Sequence, residues 1–164
     1  ALAKLAGATT ILAAGREGRL TAATDFGATC AVALTGEALT DEVRERTNGR
    51  GADVVIVAVG DLALANQALE LAAIGGRVNY FAGFPKGKTA SIDPNLIHYR
   101  ELAVTGGSNA RRADVRRAVE LLSSGALDVG RLVTHRFPLA ELDAAVTAVA
   151  RRDGLKVAVM PEAG

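Results

Sequence analysis

Gly15 and Gly18 are the residues most suited by position to hold a phosphate group. They follow the apolar run 9–14 and precede a helix-like segment, and bare glycine amides at a helix N-terminus bind anions. The sequence contains neither G-x-G-x-x-G nor G-x-x-x-x-G-K-[ST], and this pair has no third glycine in register. We therefore expect only a weak phosphate loop at this turn.

Side chains for metal or nucleophilic chemistry are few. The sequence has one cysteine, Cys30, and two histidines, His98 and His135. A lone cysteine builds neither a zinc site nor an intrachain disulfide, and Cys30 sits in an apolar run that predicts a buried, inert thiol. We expect no catalytic acid, base, nucleophile or metal ligand in this chain. The cysteine content fits a reducing cytoplasm.

The composition is that of a soluble globular domain. The 164 residues are 49% hydrophobic and 23% charged, with a formal net charge of +1. This balance gives no electrostatic reason to expect a nucleic acid or membrane partner, and no apolar stretch approaches the ~20 residues of a membrane span. The arginine pairs are interpreted as solvated helix faces. They are Arg111/Arg112, Arg116/Arg117 and Arg151/Arg152.

Strand-like and helix-like segments alternate along the chain. The predicted strands are 9–14, 31–34, 53–59, 77–82, 102–105 and 155–160. The predicted helices are 17–26, 41–47, 62–73, 114–123 and 139–151, with 94–100 either a short helix or extended. This order predicts an α/β fold with a Rossmann-like, doubly wound parallel sheet. We place a domain boundary within 125–138, so that 1–125 form the nucleotide-type domain and 126–164 a C-terminal return segment.

Several of these segments also predict how a strand is covered, where a helix begins or ends, and which helix face lies inward. The unbroken β-branched run 53–59 predicts a parallel strand covered on both faces. Thr40 or Asp41 is expected to cap the helix 41–47, and the pair Gly75-Gly76 to end the helix 62–73. Two helices have predicted inward faces. These faces are Val115, Ala118, Val119 and Leu122 in the first, and Leu142, Val146 and Val149 in the second.

The segments ATDFGAT, GADVVIVAVG, LIHYRELAVTGG, LLSSGALDV, THRFPLAEL and GLKV, in that order, resemble zinc-type medium-chain dehydrogenases. The similarity covers nearly the whole chain and is greatest to the polyol, sorbitol-like and threonine dehydrogenase branches. It implies that the chain is the cofactor-binding part of an enzyme that moves a hydride between an alcohol or polyol and NAD(P). It also implies that the first βα unit, with its glycine motif, and the ligands of a catalytic zinc lie upstream.

The resemblance implies a set of cofactor contacts. Ala14 stands where NAD-dependent members carry an acidic residue for the adenosine ribose. A small residue followed by Gly15 and Arg16 would admit a 2′-phosphate, which favours NADP over NAD, and Arg19 matches a basic position near the same ribose. The remaining positions implied as cofactor-binding are Ala58, Val59 and Gly60 at the adenine–ribose floor, Phe84, Ala103 and Thr105 at the nicotinamide pocket, and Lys156 at the pyrophosphate.

The same likeness implies a homo-oligomer, a dimer or tetramer, in which residues 88–100 pair across a two-fold axis. Two other interpretations stay open. The chain could be a non-catalytic fragment or association module, since removal of a central strand would leave two half-sheets with unpaired edges. It could also belong to the zinc-free quinone-oxidoreductase branch, although LIHYRELAVTGG and THRFPLAEL are less typical of that branch.

Overall fold

A computed structural model of the protein describes residues 1–15 and 17–161, arranged as alternating helices and strands. The helices are α1 (Leu2–Leu5), α2 (Glu17–Asp25), α3 (Gly36–Arg46), α4 (Ala63–Leu71), α5 (Pro94–Tyr99), α6 (Arg112–Ser123) and α7 (Leu142–Arg151). The strands are β1 (Leu12–Ala14), β2 (Cys30–Val32), β3 (Ala52–Val57), β4 (Ala72–Tyr80), β5 (Ala103–Gly106), β6 (Val133–Pro138) and β7 (Lys156–Met160). Short 3₁₀ turns precede β6 and α7.

The chain divides into two compact units. One unit comprises Ala1–Ala31 with Arg111–Gly164, and the other comprises Val32–Ala110. Strands β3, β4 and β5 form one parallel sheet, β6 pairs with β7 in parallel, and β1 pairs with β2. The predicted α/β class with parallel strands is confirmed. The boundary placed within residues 125–138 stays a prediction.

The core of the unit Val32–Ala110 forms where α4 packs on the β3–β5 sheet. Leu69 of α4 and Val78 of β4 are fully buried, and they belong to one cluster with smaller and β-branched neighbours. The cluster also includes Val57, Ala68, Ala72 and Leu102. Alanine at two of these positions lets the helix approach the strands closely, which buries the larger side chains.

Arg100 joins the end of α4 to the segment after α5. Its Nη1 donates to the carbonyl oxygens of Glu70 at 2.9 Å and Ala72 at 3.2 Å, and its own carbonyl accepts from the Gly75 amide at 2.8 Å. The last carbonyls of a helix have no intrahelical partner, so a cation there satisfies them and opposes the helix dipole. The arginine therefore fixes the α4–β4 junction.

The β3–β5 sheet is covered by its own unit on one face only. Val54 and Ile56 of β3 are 57% and 59% exposed, whereas Val57 is buried. Side chains alternate between the faces of a strand, so the even-numbered residues of β3 lie on the open side with Arg77 and Ala103 of the neighbouring strands. The expectation of a strand covered on both faces is wrong for this unit, because α4 and α5 pack on one side of the sheet.

In the other unit, α7 packs on β6 and β7 through alanines. Ala145 and Ala148 are buried, whereas Leu142, Val146 and Val149 are exposed. The predicted inward face of this helix is therefore wrong. Positions 145 and 148 lie one turn apart on the same side, and their small side chains bring the helix close to the strands. Strand β6 was not predicted, although its side chains alternate between half-buried and exposed.

Several element boundaries also differ from the sequence expectations. Helix α3 begins at Gly36, so Thr40 lies inside it, buried, with its hydroxyl donating to the Gly36 carbonyl at 3.4 Å. Neither Thr40 nor Asp41 is the cap. Helix α4 ends at Leu71, and the pair Gly75-Gly76 lies within β4. The reason is an irregular register at the start of β4, where Ala52 pairs with Ala72 and Val54 with Arg77.

Helix α6 is amphipathic, but its predicted inward face is wrong. Val115, Val119 and Leu122 are 54%, 55% and 44% exposed and Ala118 is exposed as well, because no other described element covers that face. No helix in the described part of the chain is long and apolar enough to cross a bilayer.

A turn follows α3 at residues 48–51 and supplies a stability test. Gly49 and Gly51 have φ of +81° and +90°. A Cβ on Gly51 would lie 2.9 Å from backbone atoms of Leu71, Ala72 and Ala73, whereas one on Gly49 would contact nothing within 4 Å. Gly49→Ala should cost about 1–2 kcal/mol through the left-handed backbone alone. Gly51→Ala should cost about 1–3 kcal/mol more through the clash.

Urea denaturation of both variants and the parent measures the difference. Equal losses of unfolding free energy at the two positions would contradict the close backbone approach at Gly51.

Candidate functional site

A hollow of about 620 Å³ lies at the carboxyl ends of β4 and β5. Strand β4 ends at Tyr80 and β5 at Gly106, two residues that pair in register. The lining consists of Tyr80, Phe81, Ala82, Gly83 and Phe84 after β4, and Gly106, Gly107, Ser108 and Asn109 at the end of β5. Open parallel sheets bind ligands beyond the carboxyl ends of their strands, so this is the expected place for a site.

Glycines give this hollow a bare backbone wall. Gly83 and Gly107 both line the hollow, and a Cβ on either would meet nothing within 4 Å. At Gly60, by contrast, there is no space for a side chain. A Cβ on Gly60 would collide with the carbonyl oxygen of Gly83, so the chain after β3 lies directly against the loop after β4. A ligand in the hollow would thus meet peptide groups as well as side chains.

Tyr80 supports the apolar part of the lining. Its ring meets Phe84 edge to face, with centroids 5.7 Å apart, and its hydroxyl donates to the carbonyl of Ala65 at 2.5 Å. Burial raises the pKa of the Tyr80 phenol above its ordinary value, because the phenolate loses solvation. The tyrosine stays neutral and holds Phe84 in place.

The other predicted contacts of this unit lie beside the hollow. Ala58 and Val59 are exposed and follow β3 directly. Ala103 and Thr105 are exposed on the open face of β5. The Thr105 hydroxyl accepts from Asn79 Nδ2 at 3.0 Å and donates to the Val78 carbonyl at 3.4 Å, which fixes its rotamer. Of the six residues predicted in this unit, the structure brings Gly60 and Phe84 together at the loop after β4.

Four further predicted residues belong to the unit Ala1–Ala31 with Arg111–Gly164. Gly15 is exposed immediately after β1. Arg16 lies outside the described residues. Arg19, in the first half of α2, donates from Nη2 to the carbonyl of Gly154 at 3.3 Å. Lys156 is exposed at the start of β7 and pairs with Val133.

Arg19 also lines an open pocket of about 530 Å³ within the same unit. Residues of α2 form one side, and residues near β6 and the end of α7 form the other. The lining includes Arg19, Arg131, Arg151 and Arg152 as cations and Asp25 as the one carboxylate. The arginine pairs were correctly predicted to be exposed. No sequence pattern indicated that Arg151 and Arg152 share a pocket with Arg19 and Arg131, which are distant in the chain.

Hydrogen bonds tie the floor of this pocket to the adjoining strands. Arg131 Nη2 lies 3.0 Å from Asp25 Oδ2, and its guanidinium carbon lies 5.9 Å from the centroid of the Phe26 ring. The Thr134 hydroxyl accepts from the Leu155 amide at 3.0 Å, and a Cβ on Gly154 would collide with it. Two sides of the pocket are therefore joined by specific contacts rather than by apolar packing alone.

Within residues 1–15 and 17–161, no group of three or more His, Cys, Asp or Glu side chains could hold a metal ion. His98 packs edge to face on Tyr99, and His135 Nδ1 lies 3.0 Å from the Thr134 hydroxyl. Cys30 is half-buried at the start of β2. These side chains have structural neighbours and do not converge, so the described residues do not fit a zinc centre.

The chain is similar in sequence to characterised dehydrogenases. The family profile described as "Zinc-binding dehydrogenase" matches residues 1–124. An alcohol dehydrogenase of Cupriavidus necator is 34% identical over 97% of this chain and 44% of its own length. An L-threonine 3-dehydrogenase of Bacillus licheniformis is 32% identical over 98% of this chain and 47% of its own length.

The fold of the chain is also similar to that of solved dehydrogenase structures. A zinc-binding dehydrogenase of Sinorhizobium meliloti, described as putative and bound to NADP, matches with a TM-score of 0.85 and 31% identity. The match covers 98% of this chain and 47% of that one. The chain thus spans less than half the length of these relatives. The resemblance to threonine-type dehydrogenases noted in the sequence is confirmed.

The phenol of Tyr80 gives a test of this architecture. Tyr80→Phe removes the hydrogen bond to Ala65 and should lower the unfolding free energy by about 0.5–1.5 kcal/mol near neutral pH. Because the folded-state pKa is raised, the phenol's contribution is fully present below the unfolded pKa of about 10 and is lost as pH rises through the folded pKa.

Urea denaturation at pH 7 to 11 checks both effects, with Tyr99→Phe as the matched control because Tyr99 is 75% exposed. An alkaline loss of stability that is as steep in Tyr80→Phe as in the parent would exclude this role of the phenol.

Proposed function

This chain belongs to the zinc-binding dehydrogenase family, and we propose that it seats the nicotinamide cofactor of an alcohol or polyol dehydrogenase. The observation that carries the proposal is the glycine-walled hollow at the carboxyl ends of β4 and β5. The NADP-bound relative with the same fold supports it. Hydride transfer between the CH–OH carbon of the substrate and the nicotinamide is the chemistry that the bound cofactor would supply.

We assign the hollow to the nicotinamide end of the cofactor. Gly83 and Gly107 leave space for a flat ring, and Phe84, braced by Tyr80, offers an apolar wall that excludes water. Ala103 and Thr105 are assigned to the same nicotinamide pocket, because they lie near the carboxyl end of β5 and backbone groups near them would hold a carboxamide. These residues would bind and orient the nicotinamide ring, and none of them would move a proton.

In the unit Val32–Ala110, we assign Ala58, Val59 and Gly60 to the adenine–ribose floor. In the other unit, we assign Lys156 to the pyrophosphate and the residues after β1 to the adenosine ribose. Gly15 is exposed and has open space around it, so its backbone is free to approach a ribose. Ala14, also exposed, carries no carboxylate to repel a 2′-phosphate, and Arg16 and Arg19 provide cations. We therefore favour NADP over NAD.

The parent enzyme would act on a small alcohol or polyol as a homo-oligomer, with residues 88–100 at the subunit contact. That segment contains α5, whose N-terminus is capped by Asp93 accepting from the Asn95 amide at 2.9 Å. A zinc ion would polarise the substrate oxygen in the intact enzyme, although the described residues of this chain do not fit a zinc centre.

Filling the hollow tests the cofactor seat. Gly83→Leu should fold, since its Cβ meets nothing within 4 Å, but should weaken NADPH binding at least tenfold by occupying the space of the ring. Quenching or enhancement of NADPH fluorescence on titration gives the affinity, and circular dichroism checks the fold.

The matched control is Ala126→Leu, which adds leucine at an exposed position away from the hollow. Unchanged NADPH affinity in folded Gly83→Leu would remove the hollow from the cofactor site. If the unsubstituted chain binds neither NADPH nor NADH at millimolar concentration, the proposed function of the isolated chain is wrong.

The cofactor preference has its own test. Ala14→Asp places a carboxylate at the exposed end of β1, where it would accept from ribose hydroxyls and repel a 2′-phosphate. We expect the ratio of NADPH to NADH affinity to fall at least tenfold. Ala14→Asn, which is uncharged and similar in shape, should shift the ratio less. A parent that already prefers NADH would contradict the assignment.

A further inference from the structure

Asn48 and Gly49 form the one Asn-Gly pair in the sequence, and they lie in the turn that follows α3. Both residues are exposed to solvent, and both have positive φ, +52° at Asn48 and +81° at Gly49. Because glycine has no Cβ, its backbone is mobile and its amide nitrogen is not shielded by a side chain. Covalent connectivity places that nitrogen where bonding to Cγ of the preceding asparagine closes a five-membered ring.

This pair has the chemistry for loss of the asparagine amide. The Gly49 nitrogen gives up its proton and bonds to Cγ of Asn48, the Cγ–Nδ2 bond breaks, and ammonia leaves with a proton. Water then opens the resulting succinimide. Addition of water at Cγ gives aspartate, whereas addition at the main-chain carbonyl carbon gives isoaspartate, in which the backbone runs through Cβ and Cγ. One water is consumed and one ammonia is released, with no oxidation or reduction.

The end of α3 restrains this reaction. The Gly49 amide donates to the Arg44 carbonyl at 2.7 Å, and the Asn48 amide donates to the Glu45 carbonyl at 3.3 Å. Helices that stop at a left-handed residue commonly close with this pair of hydrogen bonds. A nitrogen that donates a short hydrogen bond is less available to attack Cγ. The ring therefore closes when the helix end opens, and local opening of helix ends is frequent.

The turn has no room for the longer backbone of isoaspartate. The Thr47 hydroxyl donates to the Val43 carbonyl at 2.7 Å and accepts from the Gly51 amide at 2.9 Å. Gly51 in turn lies so close to the α4–β4 junction that a Cβ would be 2.9 Å from its backbone atoms. Isoaspartate adds one backbone atom between positions 48 and 49, so at least one of these contacts must break.

We propose that Asn48 is a deamidation site whose rate is controlled by opening of the end of α3. Its isoaspartate product destabilises the unit Val32–Ala110, to which the whole turn belongs. The reactant is water. The proposal goes beyond the proposed cofactor site and does not rest on it, because no residue of this turn lines the hollow.

Incubation of the full chain between pH 7 and pH 9, followed by peptide mapping with mass spectrometry, tests the proposal. Asn109 is the matched internal control, because it is also exposed, with φ of +62°, but is followed by Ala110. We expect Asn48 to lose ammonia at least fivefold faster than Asn109, and faster as pH rises, because the Gly49 amide must lose its proton. Equal rates at the two asparagines would overturn the proposal.

Two measurements test the control by the helix end. Thr47→Val removes the hydroxyl that joins Val43 to Gly51, and should speed the reaction of Asn48 at least threefold without changing that of Asn109. Denaturing urea frees the Gly49 amide completely and should speed the reaction in the unsubstituted chain as well. Rates at Asn48 that are unchanged by both treatments would exclude this control.

Asn48→Gly tests the effect of the product, because glycine suits the left-handed turn and has no amide to lose. After the same incubation, the isoaspartate fraction of the unsubstituted chain should unfold at a lower urea concentration than the fresh protein, whereas incubated Asn48→Gly should unfold at the same concentration as before. An isoaspartate fraction with the urea midpoint of the fresh protein would contradict the destabilisation.

Discussion

The buried cluster that contains Leu69 of α4 and Val78 of β4 is the packing on which the unit Val32–Ala110 depends. Both side chains are fully buried, and the helix that carries Leu69 ends where β4 begins. Arg100 holds that junction through helix-end carbonyls. Because strand β4 is the middle of the three-stranded sheet, fixing its start fixes the register of β3 and β5 on either side. The relative positions at which the strands end follow from this packing and from the register of β4 with its two neighbours.

The ends of these strands determine the shape of the hollow that is the candidate cofactor site. Tyr80 and Gly106 stop at the same level because they pair in the β4–β5 ladder. The loop after β4 then lies against Gly60, where no side chain fits. The protein thus builds the hollow mainly from peptide groups and small residues, and the chemistry of the bound group rather than of the side chains would dominate the reaction. Under the proposed function, such a seat would bind and orient a cofactor through peptide groups and small residues.

Periodicity predicted the order and type of most elements, including α2 and α6. The sequence could not choose between the alanine and leucine faces of α7, since both have helical spacing and only the neighbouring strands decide. It also missed β6, whose histidine and arginine weaken the apolar pattern. At the site, the family resemblance pointed to Gly60 and Phe84. The arginine pocket remained hidden, because Arg131 and Arg152 approach Arg19 only through the tertiary fold.

The open face of β3 has a consequence for the chain in concentrated solution. Val54 and Ile56 present a β-branched row beside a strand whose partner, among the described strands, is β4 alone. Such a row next to an unpaired edge is a template for cross-β stacking between molecules. Arg77 pairs with Val54 and places a charge on the same face, beside this row. A charge in that position opposes such stacking, so Arg77 is expected to limit aggregation through this face.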